Sequence, residues 1–426
     1  MKNIILILLC AITLASCSPK SNPATERQLL QMLDKMDIFR LEAQLEENKS
    51  QLSKSIVLYL EASLQNVFNR TDKSLQTIDV LLNKYGKTMN DTLLNGVYMM
   101  KSMNLMKQNR YRESAEAMKI ALERYGHASD SIDLANAWDV YHIIEPLKTF
   151  LPQKMHITSD VTIPVSRNRF DHLMIRVTSG GQSEDFIFDT GASFSGVSES
   201  AAQRMGIRVL ESSTNIKNST GSKFHSKVGI ADSLWVGDVL FENVAFLVVS
   251  DDLLSFPEAN YYVHGIIGFP VMYQMKEIRI RKDESITVAA YPTKRNLHNL
   301  FLDGLYPIVQ VETDNDTLLF KMDTGSNVTY FYEKYYIAHQ DEIHEKAVPS
   351  TPRIGGAGSI IDIEAYYMEN VPFVIGGREM TIPGAIIYTE KNASHDSYDG
   401  VLGQDVLMHF NQLILNFEDM YLTFED

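Results

Sequence analysis

Through residues 25–150 the apolar positions recur at helical spacing, and from about residue 157 they alternate with polar ones. In the first stretch only Pro146 interrupts the run, and Leu29, Leu33 and Met36 fall at i, i+4 and i+7, one face of a helix. In the second, short apolar-polar runs are punctuated by Gly and Pro, the signature of strands joined by turns. The pattern predicts an N-terminal helical domain over 25–152 and a mainly β remainder.

The helical part repeats itself. Residues 69–86 (NRTDKSLQTIDVLLNKYG) align with 109–126 (NRYRESAEAMKIALERYG), a period of 40 with six identities in eighteen positions. Leu75, Ile78, Leu82 and Tyr85 correspond to Ala115, Met118, Leu122 and Tyr125, one apolar stripe on two helices. Gly86 and Gly126 stand where a helix C-cap calls for positive φ. Two helical hairpins and a closing helix near 130–150 resemble a short tetratricopeptide-type array. Such an array either presents a surface to a protein partner or serves as a structural cap.

Composition narrows the classes. The chain has 426 residues, 45% of them hydrophobic, enough for several domains with proper cores. A net charge of −15 without a long basic run argues against nucleic-acid binding. Cysteine occurs only at Cys10 and Cys17, so nothing after residue 17 offers a thiol for a disulfide, a zinc site or a nucleophile. Lys2 and the apolar run Ile4–Leu14 suit a signal peptide over 1–16 and are too short for a membrane span. Leu14-Ala15-Ser16-Cys17 resembles the bacterial lipobox, which implies lipidation of Cys17 on a tether over 17–24. That resemblance implies an envelope lipoprotein bound to membrane by its lipid. The absence of acidic residues just after Cys17 points to the periplasmic side of the outer membrane, with the cell surface as the alternative.

The β part is a duplication. Phe186-Ile187-Phe188-Asp189-Thr190-Gly191-Ala192 parallels Phe320-Lys321-Met322-Asp323-Thr324-Gly325-Ser326 at an offset of 134. Gly265-Ile266-Ile267-Gly268 parallels Gly400-Val401-Leu402-Gly403 at an offset of 135. Flanking positions agree too: Val177 with Val311, Glu199 with Glu333, Val271 with Val406, and Ile278 and Ile280 with Leu413 and Leu415. One Asp-Thr-Gly is a common accident, but two copies with the same distant partner are not.

These motifs resemble the aspartic peptidases of the pepsin and retropepsin clan over about residues 157–426. The resemblance implies a multidomain α + β chain, N-terminal α-helical hairpin repeats followed by a two-lobed, mainly β peptidase unit. Its lobes are expected at 157–295 and 296–426, both in one chain, so the catalytic unit is expected to be monomeric. It further implies that Asp189 and Asp323 are catalytic and that Thr190 and Thr324 cross-brace the two loops. Gly191 and Gly325 would allow tight backbone beneath the carboxylates, Ala192 and Ser326 would complete the loops, and Gly268 and Gly403 would brace them. The activity implied is endopeptidase cleavage of peptides or proteins in the cell envelope.

Two close carboxylates resist double ionisation and share a proton, so one activates water while the other polarises the carbonyl. Such chemistry needs no cofactor or metal, and the scattered histidines, among them His264, His395 and His409, lack metal-ligand spacing. A glycine-rich hairpin that covers substrate is expected at Arg353–Ile360, with Gly355, Gly356 and Gly358 at its tip, or else that segment is an ordinary surface turn. Its counterpart in the first lobe is placed near Ser219–His225, around Gly221 and Phe224. Tyr330-Phe331-Tyr332 and Tyr335-Tyr336 read as β packing ahead of cleft lining, and Trp138 and Trp235 as core or domain-contact residues. The rival reading is a non-catalytic module whose degenerate lobes and helical array bind a peptide or protein; a further one makes the helices an inhibitory pro-segment.

Overall fold

Three matching turns organise the N-terminal helices of this computed structural model, which describes residues 21–217, 222–256, 260–313, 316–356, 359–390 and 397–426. Residues 1–16, where a signal peptide is expected, and Cys17, Gly221, Gly358 and His395 lie outside the described residues. The helices are α1 (Pro23–Asp34), α2 (Ile38–Asn48), α3 (Lys54–Val67), α4 (Thr71–Tyr85), α5 (Asp91–Lys107), α6 (Tyr111–Tyr125) and α7 (Ser131–Ile144). Asn22, Asn90 and Asp130 cap α1, α5 and α7 by accepting bonds from N–H groups of the first turn. Met36, Asn69 and Asn109 take positive φ between α1 and α2, α3 and α4, and α5 and α6. The residue after each donates to a carbonyl five positions back: Asp37 to Met32 (2.9 Å), Arg70 to Gln65 (2.7 Å) and Arg110 to Leu105 (2.9 Å).

Two expectations change here. There are three such pairs rather than two, because Asn69 lies 33 residues after Met36 but 40 before Asn109, and comparison at period 40 passes over the first pair. Nor do Gly86 and Gly126 hold positive φ; they sit at −53° and −59°. Close approach explains them instead. A β-carbon on Gly86 would stand 2.5 Å from the Leu82 carbonyl oxygen, and one on Gly126 would stand 2.9 Å from Leu134 Cδ1.

The β region builds the same strand order twice. In the first copy Leu173–Ser179, Gln182–Phe188, Gly265–Ile267, Gly196–Ser198, Val239–Val249 and Lys223–Val236 lie side by side. In the second the sequence is Tyr306–Glu312, Thr317–Met322, Gly400–Leu402, Tyr330–Phe331, Arg378–Tyr388 and Ala365–Ile375. Each glycine-bearing strand runs parallel to the strand that precedes an Asp-Thr-Gly: Ile267 opposite Phe188, Leu402 opposite Met322. The copies are stitched at their ends, since Gln412–Asn416 pairs antiparallel with Glu277–Arg281, Ile278 opposite Leu415 and Ile280 opposite Leu413. The last two strands therefore extend the sheet that holds the first copy. The observed architecture is N-terminal helices followed by a mainly β region, as the hydrophobic pattern predicts.

The helices pack on the β region. Phe39 meets Phe301 (ring centroids 5.6 Å apart), and Phe68 meets His298 (4.2 Å). Tyr273 donates its hydroxyl to Asn69 Oδ1, and Asn69 Nδ2 donates to the Phe417 carbonyl, so one turn of the helical unit is bonded to the first β copy and to the turn between the last two strands. Of the tryptophans, Trp138 is half-buried, but Trp235 is 43% exposed and is not a core residue. Strand alternation explains that: Leu234 and Val236 take the inward face and leave Trp235 outside.

Candidate active site

Each Asp-Thr-Gly follows a buried strand end, Phe188 in one copy and Met322 in the other, where the chain must turn out of the sheet. Asp189 N–H donates to the Ile267 carbonyl (3.1 Å) and Asp323 N–H to the Leu402 carbonyl (3.0 Å), which anchors both loops to the neighbouring parallel strand. The side chains turn back on their own loops: Gly191 N–H donates to Asp189 Oδ1 (2.7 Å) and Gly325 N–H to Asp323 Oδ1 (2.9 Å).

Between the loops the threonines exchange bonds. Thr190 N–H donates to Thr324 Oγ1 and Thr324 N–H to Thr190 Oγ1, both at 3.0 Å. The hydroxyls then donate across the pair, Thr190 Oγ1 to the Met322 carbonyl (2.9 Å) and Thr324 Oγ1 to the Phe188 carbonyl (2.7 Å). Both threonines are buried and fully bonded, so the arrangement fixes the loops relative to each other. A β-carbon on Gly325 would stand 2.7 Å from the Asp189 carboxyl carbon, which shows how closely each loop backbone approaches the opposite acid. Asp189 and Asp323 are themselves half-buried.

Burial, the Asp323 charge and a side-chain bond to Asp323 push the Asp189 carboxyl up to about 8, against the opposing pull of Lys321 and the Gly191 N–H. An acid held protonated beside a second carboxylate is equipped to donate while its neighbour accepts.

Gly268 and Gly403 support the loops from below. A β-carbon on Gly268 would meet the Phe194 carbonyl oxygen at 2.5 Å, and one on Gly403 the Val328 carbonyl oxygen at 2.5 Å. Reading by motif missed what holds them. Ser195 Oγ accepts from Gly268 N–H and Thr329 Oγ1 from Gly403 N–H, both at 3.1 Å, and both hydroxyl residues are fully buried. Their separation is again 134, so the duplication already contained the signal. Also missed were Gln404, whose Nε2 donates to the Thr324 carbonyl (2.8 Å), and Asp405, which accepts from Thr329 N–H and Oγ1–H, each at 2.7 Å. Ala192 and Ser326 close the loops: Phe269 N–H donates to the Ala192 carbonyl and Gln404 N–H to that of Ser326, each at 2.8 Å.

An antiparallel strand pair lies at both expected flap positions. Thr214–Lys217 pairs with Lys223–Ser226, and Phe224 packs with Ile187, Leu254 and Val263 on the Asp189 side. Arg353–Gly356 pairs with Ser359–Asp362, and Ile354 packs into a cluster with Tyr332, Tyr388 and Val401. Gly355 is not at a turn. It is a paired strand residue outside the positive-φ set, and a β-carbon there would meet nothing within 4 Å. Gly356 pairs with Ser359 at the end of that strand pair. The tyrosine run divides between two clusters: Phe331 and Tyr335, the latter on the helix Glu333–Ala338, stack in the core (4.0 Å), whereas Tyr330 and Tyr332 pack in the other cluster and contact each other (5.6 Å). Among the described residues no group of His, Cys, Asp or Glu has the clustering a metal ion needs.

Residues 175–271 match a family model described as aspartyl protease, so this part of the chain is an aspartyl-protease-like domain. The matched stretch contains Asp189, Phe224 and Gly268 and ends before Asp323. No curated protein sequence matches the chain.

Proposed function

We propose that the protein is an aspartic endopeptidase whose site is assembled from two retropepsin-like lobes of one chain, with Asp189 and Asp323 as the catalytic pair. The observation that carries this reading is the reciprocal Thr190–Thr324 exchange, which brings two Asp-Thr-Gly loops together with their acids side by side. Asp189, the acid with the raised affinity for a proton, polarises the scissile carbonyl, while the Asp323 carboxylate takes a proton from the attacking water. The tetrahedral intermediate collapses when a proton from the pair reaches the leaving nitrogen. The strand pairs bearing Phe224 and Ile354 exclude water above the peptide. A lipid on Cys17 holds the enzyme at the bacterial envelope, where its substrates are peptides or proteins, and the helical unit braces both lobes and offers a surface to a protein partner.

The test is cleavage of a diverse peptide library by the wild-type protein and by Asp189→Asn, Asp323→Asn and the double variant. Each single change should abolish turnover as fully as the double change, because one carboxylate does not serve as acid and base together. A folded Asp323→Asn protein with near-normal turnover would overturn the shared pair, whereas binding of these peptides by the wild type with no cleavage would leave a binding module.

A further inference from the structure

We infer that Lys321 selects substrates that carry a carboxylate beside the scissile bond. The inference rests on the peptidase reading above and concerns the same site. Lys321 and Asp323 are two residues apart at the end of an extended strand, so their side chains leave on the same face. The register sets Ile308 opposite Lys321 on one side and Val401 on the other, both apolar and buried. In the first copy the matching position is Ile187, which packs among apolar residues beside Phe224. The two sides of the acid pair are therefore unlike: one floor is hydrocarbon, the other carries an ammonium.

That ammonium is incompletely matched. Lys321 Nζ donates to the Gly191 carbonyl (3.1 Å) and lies 3.9 Å from the centroid of the Tyr306 ring. An ammonium has three N–H donors, of which the carbonyl takes one; burial works against its charge, and Asp323, Tyr306, Tyr332 and Asp189 outweigh that and keep it protonated. Among the described residues no carboxylate oxygen is within ion-pair distance; Asp323 and Asp189 act on it only through space. Tyr306 in turn donates to Ser193 Oγ (3.3 Å), so the aromatic wall is tied to the opposite loop. Behind this wall, the sheet face that carries Phe301 and Ile308 is covered by α2 and α3, with Phe301 and Ile308 both fully buried. A half-buried cation shielded on one side by packed helices rewards an anionic ligand more than an exposed lysine does. A substrate carboxylate is the anion an approaching peptide can bring, from an acidic side chain next to the cleaved bond or from the peptide's own C-terminus.

The experiment compares matched peptides with Glu, Gln or Leu at each position flanking the cleaved bond, as free acids and as C-terminal amides. The full chain is used as wild type, Lys321→Met and Lys321→Arg. The wild type should favour a carboxylate over its amide by about 10- to 100-fold in kcat/KM, the range a charge-assisted hydrogen bond supplies. Lys321→Met should bring that ratio close to one, and Lys321→Arg should restore it, whereas a bracing role alone would lower all substrates together. The Glu/Gln pairs locate the preference on the side chain and the acid/amide pairs on the C-terminus. The same peptides titrated by calorimetry into Asp189→Asn protein read the preference as affinity, without turnover. A carboxylate preference in binding with no cleavage by any form upholds the Lys321 assignment and sinks the peptidase reading. Equal handling of Glu, Gln, acid and amide by the wild type, or a ratio that survives Lys321→Met, overturns the assignment.

Discussion

Gly191 lies against Asp323, the acid of the other loop: a β-carbon on Gly191 would stand 2.3 Å from the Asp323 carboxyl carbon. That separation is shorter than any real non-bonded contact, so the side chain or the loop has to move. Gly191→Ala is therefore expected to cost at least 100-fold in kcat/KM through a misplaced carboxylate. Far-UV and near-UV circular dichroism should show a folded protein. Normal kinetics in that variant would mean that the pair tolerates displacement.

The threonine exchange sets a second expectation. Thr190→Val leaves the Met322 carbonyl and the Thr324 N–H without their partners in a buried site, at about 1–3 kcal/mol for each orphaned group. Thr324→Val has the mirror-image consequence for the Phe188 carbonyl and the Thr190 N–H. Because the residues form one network, the double variant should lose less than the sum of the single losses. Urea unfolding of the three variants measures this, and strict additivity would separate the two residues energetically.

Stability should depend on pH through Asp189. Its carboxyl is raised from 3.8 to about 8, so the folded chain binds the proton more tightly than the unfolded chain. The stabilisation is complete below about pH 4 and is lost as pH rises through about 8. Asp189→Asn, which has no proton to lose, should flatten the fall in Tm over that window and be the more stable form at the alkaline end. Parallel curves for the two proteins would show that Asp189 does not carry the linkage. Wild-type turnover should fall on the same alkaline limb, as the acid of the pair is lost.

At the join of helices and sheet, Asn69 combines positive φ (59°) with bonds to Tyr273 and Phe417. Asn69→Gly keeps the backbone conformation but removes the bonds and is expected to cost about 1–3 kcal/mol, with Asn69→Ala costing more because alanine also strains the turn. The order Gly above Ala in Tm is the result to look for. The reverse order would mean that backbone freedom in the unfolded chain outweighs the turn.

Lipid on Cys17 predicts that Cys17→Ser moves the protein from the membrane to the soluble envelope fraction. Intact-mass measurement of the native N-terminus decides it: an unmodified chain that begins elsewhere would remove the anchor.

Much of this was legible in the residues. The helix-to-strand change near residue 157 and the twofold Asp-Thr-Gly follow from periodicity and fixed offsets, because both are local or strictly repeated features. The buried hydroxyls Ser195 and Thr329 were legible in principle at the same offset, but a lone Ser or Thr carries no motif. Gly86 and Gly126 misled, since sequence does not distinguish a glycine needed for φ from one needed for close approach.

By itself, then, the sequence determined the succession of helices and strands, the duplication and the candidate acids, all properties of spacing along one chain. Tertiary structure alone decided the exchange between Thr190 and Thr324, 134 residues apart, and the pairing of Gln412–Asn416 with Glu277–Arg281. It alone set the Lys321 ammonium against the Gly191 carbonyl, where one strand carries a charge that its counterpart, at Ile187, does not. Side-chain chemistry is written in the order of residues, but the field acting on a charge depends on which atoms surround it. Those neighbours are chosen only when separate strands are packed together.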